Sequence, residues 1–251
     1  MSFDELVSEG ASVPVGGWDF SWFEGRAGEE RPPWGYARLM GERMATAAAA
    51  LDVQTGGGEV LAAIPCAPPI LATTESWPPN VEIARRNLRP LGASVVQVAD
   101  EDDLPFPGES FDLVVSRHPT LVRWNEIARV LRPGGHYFSQ QVGAGSNREL
   151  TDFMMGSQPV SQRRAATTAV AEAEAAGLVV ADLRECTLRA FYNDVGAVVH
   201  FLRKVLWTVP DFTVERYRAR LLAIHERIQA EGPFVSHVER FLIDAEKPPR
   251  T

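Results

Sequence analysis

The fold class of this chain is decided by an apolar segment that runs into an acid and three glycines. Residues 50–59 read ALDVQTGGGE, so Asp52 ends the apolar segment and the glycines follow it. Glycine lets a backbone approach a ligand closely, and a helix that begins there offers free N–H groups. A dinucleotide-binding GxGxxG loop has no acid before its glycines, so Asp52 is the more informative residue. The stretch predicts a strand, a ligand-binding turn and then a helix.

Two further apolar segments also end in acids. Residues 70–75 read ILATTE and end at Glu75, and residues 95–100 read VVQVAD and end at Asp100. A carboxylate at the tip of the second strand can bond both ribose hydroxyls of an adenosine. Each such charge-assisted hydrogen bond contributes about 1.5–3 kcal/mol. A carboxylate at the tip of the third strand can accept a hydrogen bond from an adenine amino group.

Apolar segments alternate with helix-like stretches from residue 40 onward. One of these stretches places Trp124, Ile127, Ala128 and Leu131 on one helical face and ends at Pro133. Such alternation predicts a mostly parallel sheet with helices on both faces. The predicted strands cover residues 48–53, 70–74, 94–99, 111–116, 135–142, 178–187 and 235–245.

Two segments fall outside this alternation. Residues 1–40 are predicted to be irregular but rich in aromatic side chains, as an arm packed on the core or as a lid over a pocket. Residues 194–207 and 213–230 form two consecutive predicted helices, which indicates an inserted helical cap. We therefore predict one domain with decorations rather than separate domains. The predicted parts are an N-terminal lid at 1–40, a ligand-binding core at 41–188, a cap at 189–231, and the last strand and tail at 232–251.

In order and spacing, these motifs resemble the class I S-adenosylmethionine-dependent methyltransferases. The shared progression is DxGxGxG, a strand-ending E, AD…LPF, FDLV and RVLRPGG, and residues 48–142 carry it. The resemblance implies an α/β, doubly wound, Rossmann-like sheet of seven mostly parallel strands, with the last strand antiparallel. It also implies S-adenosyl-L-methionine as cofactor and methyl transfer as the reaction.

The same resemblance implies which residues hold the cofactor. Asp52, Gly56 and Gly58 would hold its methionine part, Glu75 its ribose, and Asp100 its adenine, the last with the backbone N–H of the following residue. The complete predicted cofactor set is Asp52, Gln54, Gly56, Gly58, Glu75, Ser76, Asp100, Glu101 and Arg117.

One residue departs from the family pattern. Gln54 stands where most members have the first glycine of the loop. Its side chain would either crowd the methionine end of the cofactor or replace a contact there. Gly56, Gly57 and Gly58 remain, so binding is still expected. The departure leaves open a non-catalytic protein of the same fold.

The acceptor side of the site is predicted from residues after the fourth and fifth strands. His118 would be the catalytic residue, as a general base for an acceptor that carries a proton, and the alternative is a structural histidine. Arg117 could instead bind an acidic group of the acceptor or pair with residues 101–103. The residues predicted to contact the substrate are Trp22, Trp34, Gln140, Tyr192 and Tyr217.

Charge and composition narrow the function classes. The formal net charge of −8 disfavours a nucleic-acid partner, because phosphate backbones are repelled. Residues 116–119, SRHP, also differ from the [DNS]PP[YFW] motif of amino-methylating DNA and RNA enzymes. Cys66 and Cys186 are far apart, which favours reduced thiols over a bridge, and no ligand spacing predicts a metal.

No targeting or membrane signal is visible. The longest apolar run, residues 47–53, is far shorter than the ~20 residues that span a bilayer. The acidic start lacks a signal-peptide pattern, so we expect a cytoplasmic protein.

The sequence thus predicts a methyltransferase for a small-molecule acceptor. A non-catalytic S-adenosylmethionine-binding protein is the alternative. An RNA methyltransferase, the third possibility, would require Arg163, Arg164 and residues 216–220 to form one basic face. The acceptor, the methylated atom and the oligomeric state do not follow from the sequence.

Overall fold

The computed structural model describes residues 1–16 and 20–250. Its strands are β1 (Ala27–Glu29), β2 (Ala49–Asp52), β3 (Ile70–Glu75), β4 (Ser94–Gln97), β5 (Phe111–Arg117), β6 (Leu131–Val142), β7 (Val179–Tyr192) and β8 (Phe234–Glu246). Its α-helices are α1 (Phe3–Ser12), α2 (Tyr36–Met44), α3 (Pro78–Leu88), α4 (Trp124–Val130), α5 (Arg148–Met155), α6 (Ala166–Ala175), α7 (Val195–Lys204) and α8 (Val214–Glu231).

The strands form one sheet in the order β1-β7-β8-β6-β5-β2-β3-β4. Pairing is parallel between β2 and β3, β3 and β4, β2 and β5, and β5 and β6. The last strand, β8, is antiparallel to β6. This confirms the predicted α/β, Rossmann-like, mostly parallel sheet with an antiparallel last strand. The strand number is eight rather than seven, because the short β1 pairs antiparallel with β7.

The chain divides into two compact units. The core unit comprises Pro32–Ala144, Gln162–Cys186 and Arg240–Thr251, and the appended unit comprises Met1–Arg31, Gly145–Ser161 and Thr187–Glu239. The chain passes from one unit to the other within β7 and within β8. The domain boundaries given above from the sequence remain a prediction.

The core unit has an apolar layer on each face of its sheet. Successive residues of a strand point to opposite faces, and Leu51 accordingly packs in one buried cluster with Val114 and Ile127. Its neighbour Ala50 packs in the other cluster with Leu88. Strands covered on both faces read as continuous apolar runs, and this is why the alternation was visible in the sequence.

The appended unit has a buried cluster of its own, centred on α1, α7 and α8. Helices α1 and α7 approach each other at two glycines. A Cβ atom on Gly10 would lie 2.2 Å from the carbonyl oxygen of Gly196, and one on Gly196 would lie 2.6 Å from that of Leu6. These distances are shorter than van der Waals contact allows, so both positions exclude any side chain at this helix separation.

Residues 1–40 are more regular than predicted. They contain α1, β1 and the first turns of α2, rather than an irregular arm. Helix α1 begins with a capping box, in which Ser2 Oγ accepts from the Glu5 N–H while the Glu5 carboxylate accepts from the Ser2 N–H. Residues 17–19, part of the predicted lid, lie outside the described residues.

The helix predicted directly after the glycines is also wrong. Residues 56–60 form turns, and only one 3-10 turn follows, at Leu61–Ala63. Pro65, Pro68 and Pro69 come next in the chain, and proline interrupts helical hydrogen bonding. Helix α4 likewise ends at Val130, so Leu131 and the following Pro-Gly-Gly belong to β6.

Candidate functional site

Three acids lie at the carboxyl ends of neighbouring parallel strands of the core unit. Asp52 ends β2, Glu75 ends β3, and Asp100 follows β4. Asp52 pairs in register with Thr73, and Glu75 with Gln97. In open α/β sheets this edge is where ligands bind.

A cavity of about 570 Å³ opens at this edge. Three of the predicted cofactor residues, Ser76, Asp100 and Glu101, line it, together with residues 97–99 and Asp102. The residues of the glycine loop, 52–58, are all described, and none of them lines this cavity. The cavity therefore covers only the part of the predicted site assigned to adenosine.

Glu75 is a buried carboxylate with hydrogen bonds to two backbone N–H groups. Its Oε2 accepts from Gly56 at 2.8 Å and its Oε1 from Trp77 at 3.0 Å. Burial raises the pKa of this carboxyl, while these hydrogen bonds oppose the shift. Each carboxylate oxygen can accept more than one hydrogen bond, so lone pairs remain for two hydroxyl groups.

Asp52 is buried beside Glu75. Burial, the largest cause, and the negative charge of Glu75 together raise the pKa of Asp52 to about 7, against the opposing effect of a hydrogen bond from Thr55. Thr55 Oγ1 donates that bond to Asp52 Oδ2 at 2.6 Å. Asp52 can thus exchange a proton near neutral pH.

The glycine loop is held by its own hydrogen bonds. The Gly58 N–H donates to the Thr55 carbonyl at 3.1 Å, and the Thr55 N–H donates to the Thr74 carbonyl at 2.9 Å. Gly58 has a φ of 76° and packs against α3, where an added Cβ would lie 2.8 Å from Leu88 Cγ. The loop is glycine-rich here for backbone conformation and close packing.

Gln54 lies within this loop at a φ of 58°. This left-handed conformation costs a residue with a side chain about 1–2 kcal/mol relative to glycine. Its side chain reaches the segment after β5, where Gln54 Nε2 donates a hydrogen bond to the Leu121 carbonyl at 2.6 Å. Gln54 Oε1 accepts from the Thr120 N–H at 2.7 Å.

On the acceptor side, Trp34, Gln140 and His118 form a hydrogen-bonded chain. The indole Nε1 of Trp34 donates to Gln140 Oε1 at 2.8 Å, so Gln140 Nε2 faces His118 Nε2 at 2.9 Å. An amide nitrogen only donates, so His118 Nε2 accepts and the ring proton lies on Nδ1. Burial and the charges of Arg117 and Arg240 lower the pKa of His118 well below its usual range.

A second polar network, not predicted from the sequence, lies beneath this chain. Tyr36 donates its hydroxyl proton to the Ser116 carbonyl at 2.9 Å, and Ser116 Oγ lies 2.7 Å from the Tyr137 hydroxyl and 2.9 Å from Ser139 Oγ. The polar residues within the otherwise apolar segments of β5 and β6 were the signal in the sequence that could have predicted this network. The network satisfies buried hydroxyls and links the end of β5 to the interior of β6.

Arg117 is exposed, and within residues 1–16 and 20–250 its guanidinium forms no ion pair. The sequence left open an ion pair between Arg117 and residues 101–103, but in the structure Arg123 pairs with Asp103, at 2.9 Å. Arg117 therefore remains available to an anionic group of a ligand.

The other predicted substrate residues lie in the appended unit. Trp22 has the Arg26 guanidinium 4.0 Å from its ring centroid. The Tyr217 hydroxyl donates to Asp211 at 2.7 Å, and the Tyr192 hydroxyl lies 3.5 Å from Asn147 Oδ1. The structure thus brings together Trp34, Gln140 and His118, whereas Trp22, Tyr192 and Tyr217 have partners within their own unit.

Neither a disulfide nor a metal cluster occurs within the described part of the chain. Cys66 and Cys186 are not joined by a disulfide. No group of three or more His, Cys, Asp or Glu side chains could hold a metal ion there. None of the described helices combines the length and apolar character needed to cross a membrane.

Comparison with known proteins places part of the chain in one family. Residues 51–139 match the family model described as a methyltransferase domain. No curated protein sequence matches the chain. This stretch contains the acids Asp52, Glu75 and Asp100 as well as His118.

Solved structures share the fold at low sequence identity. A Bacillus halodurans protein named provisionally as a methyltransferase has 21% identity and a TM-score of 0.60, over 85% of this chain and 99% of its own. The [4+2]-cyclase SpnF has 20% identity and a TM-score of 0.53, over 98% and 93%. A Haemonchus contortus phosphoethanolamine N-methyltransferase, in complex with phosphomonomethylethanolamine and S-adenosylhomocysteine, has 17% identity and a TM-score of 0.51, over 86% and 53%.

At these identities the structures show the fold alone, and the family match adds the domain type. The order of the strands, the acids at their tips and the matched region agree with one another. Residues 51–139 therefore match the methyltransferase-domain family model, and the chain has the fold of class I S-adenosylmethionine-dependent methyltransferases.

Proposed function

We propose that this protein is an S-adenosylmethionine-dependent methyltransferase that acts on a small-molecule acceptor. The observation that carries the proposal is the cavity at the strand tips, lined by Ser76, Asp100 and Glu101 with buried Glu75 at the end of the adjacent strand. Carboxylates in this arrangement suit a ribose diol and an adenine amino group. The cofactor-bound neighbour and the family match support the same ligand class.

When bound, S-adenosylmethionine supplies a methyl group activated by a sulfonium. In this proposal Glu75 accepts hydrogen bonds from the ribose hydroxyls, and Asp100 accepts from the adenine. Asp52 and the loop of Gly56 and Gly58 hold the amino-acid end. Orientation of the reacting groups alone can supply about 7–11 kcal/mol of a reaction barrier.

His118 is proposed to contact the acceptor. Its lowered pKa keeps the imidazole neutral at pH 7, which is the form a general base requires. Gln140 and Trp34 fix the ring, so that a proton acceptor is available at Nε2 once an acceptor molecule displaces the Gln140 amide. A base is needed only when the attacking atom carries a proton.

Charge favours a small acceptor over RNA. In the appended unit Arg216 pairs with Asp211 and Arg218 with Asp4, so two of the arginines needed for a basic face are neutralised. Arg163 and Arg164 belong to the core unit. The cytoplasmic location expected from the sequence stays a prediction.

The first prediction is that Glu75→Ala weakens S-adenosylhomocysteine binding at least about tenfold, a loss of about 1.4 kcal/mol. The substitution removes the carboxylate proposed to bind the ribose. Isothermal titration calorimetry of wild type and variant measures it. Glu82→Ala, which removes an exposed acid of the neighbouring α3, is the matched control.

Circular dichroism and thermal unfolding must show that Glu75→Ala is folded, because Glu75 also bonds Gly56 and Trp77. A folded variant with unchanged affinity would contradict the placement of the ribose. An absence of binding to wild type at millimolar ligand would contradict the proposed cofactor.

A non-catalytic binding protein is the second candidate, and Gln54 in the glycine loop is the observation that favours it. The likeness to a [4+2]-cyclase also associates this fold with a protein named for another reaction. Incubation with isotope-labelled S-adenosylmethionine and fractionated metabolites separates the two. Binding with no labelled product in any fraction would favour this second candidate.

A further inference from the structure

The glycine loop and the segment after β5 are tied together by one side chain. The amide orientation of Gln54 is fixed, because one of its partners is a backbone carbonyl and the other a backbone N–H. Gln54 Nε2 donates to Leu121 at 2.6 Å, and Gln54 Oε1 accepts from Thr120 at 2.7 Å. A glycine at this position would form neither bond.

The link continues to the acid that lines the cavity. Thr120 Oγ1 lies 2.6 Å from Asp100 Oδ2 and 3.0 Å from Gln54 Oε1. Both of these oxygens are acceptors and the hydroxyl has one proton, which goes to the closer carboxylate. Gln54, Thr120 and Asp100 therefore form a continuous chain of contacts from the tip of β2 to the end of β4.

This chain lies at the limit of the open cavity. Asp100 lines the cavity, whereas residues 52–58 do not. The loop groups that would receive an amino-acid tail are bonded within the protein, Gly56 N–H to Glu75 and Asp52 to Thr55. The cavity thus lies at the adenosine half of the predicted site, and the loop groups assigned to the amino-acid tail already have hydrogen-bond partners within the protein.

We propose that Gln54 is a specificity-determining residue, which holds segment 120–121 against the glycine loop and sets the affinity for the amino-acid end of the ligand separately from its adenosine end. This inference rests on the proposed function. A ligand that ends at the ribose 5′ substituent leaves the Gln54 bonds intact. We expect a homocysteine tail that binds at the glycine loop to displace them.

The test compares two probes that differ in this tail, 5′-methylthioadenosine and S-adenosylhomocysteine. We expect Gln54→Gly to raise affinity for S-adenosylhomocysteine about tenfold and to change that for 5′-methylthioadenosine by less than about twofold. Glu109→Gly is the matched control, since Glu109 is also left-handed, with φ 55°, but belongs to the turn before β5. It should change neither affinity.

Each calorimetric outcome is decisive. An equal gain for both probes, no change, or weaker S-adenosylhomocysteine binding would overturn the role of Gln54 while the proposed function stands. Binding of neither probe to either protein would overturn the proposed function and this inference with it.

Hydrogen exchange of the wild-type protein gives a second test that needs no variant. S-adenosylhomocysteine should speed exchange of the Thr120 amide, because its bond to Gln54 is broken, and 5′-methylthioadenosine should not. Unchanged or slower exchange with S-adenosylhomocysteine would refute the displacement.

Discussion

The sequence predicts where Asp52 lies in the fold, but it does not predict the protonation state of this buried acid. Its place at the end of an apolar strand follows directly from the sequence. Its pKa of about 7 does not, because the shift comes from burial and from the charge of Glu75, which is distant in the chain. The hydrogen-bonded chain of Trp34, Gln140 and His118 could not be predicted either, because its contacts join three separate segments of the sequence.

The state of Asp52 predicts a pH-dependent stability. Its folded pKa of about 7 lies above the ordinary range of an aspartate, so the folded protein binds the proton more tightly than the unfolded chain does and loses stability as pH rises from about 4 through about 7. We expect Asp52→Asn to raise the melting temperature relative to wild type at pH 8, with a smaller gain at pH 5. Asp102→Asn, at an exposed acid of the cavity rim, is the control for loss of one charge.

Differential scanning calorimetry at pH 8 and pH 5 measures the melting temperatures of Asp52→Asn and wild type. His118 acts in the opposite sense, since its lowered pKa reduces stability as pH falls below 6.5, so the comparison must be between variant and wild type at each pH. A gain for Asp52→Asn that is equal at both pH values would contradict the raised pKa.

At the scale of elements, the sheet was predictable and the segments around it were less so. Strands β2, β3 and β5 were predictable because strands buried on both faces are continuous apolar runs. Helix α1 was missed although Ser2 and Glu5 form a capping box, a signal present in the sequence. The helix expected after the glycines was wrong because the local prolines outweighed the family pattern.

The contact between α1 and α7 yields a prediction of its own. We expect Gly10→Ala to destabilise the protein by about 1–3 kcal/mol, the usual cost of overpacking, because the new methyl would overlap the Gly196 carbonyl. Urea unfolding measures it. Ala11→Gly, at the next position of the same helix, controls for helix propensity, and a Gly10→Ala variant as stable as wild type would show that the helices can separate freely.

At the scale of the whole molecule, the net charge is the property that the amino-acid composition gives most directly. A net charge of −8, with Arg216 and Arg218 of α8 in ion pairs, gives little attraction for phosphate backbones. The small-molecule acceptor itself is not readable from the sequence, because acceptor contacts depend on side chains brought together only by folding.

We expect no saturable binding of a mixed-sequence single-stranded RNA even near 50 mM salt, where electrostatic binding is strong. Fluorescence anisotropy with a labelled RNA measures it, and an unrelated basic RNA-binding protein serves as positive control. Tight binding that weakens steeply with added salt would restore the RNA methyltransferase as the leading hypothesis.

The close pairing of α1 with α7 also bears on how the chain is made. Helix α1 ends at Ser12, and α7, which covers its apolar face, begins only at Val195, so α1 is synthesised well before α7. At about 5–20 residues per second, translation reaches α7 roughly ten seconds or more after α1 has emerged. Leu6 and Val7 stay uncovered by α7 during that interval, so we expect the nascent chain to expose an apolar helix face until α7 has been made.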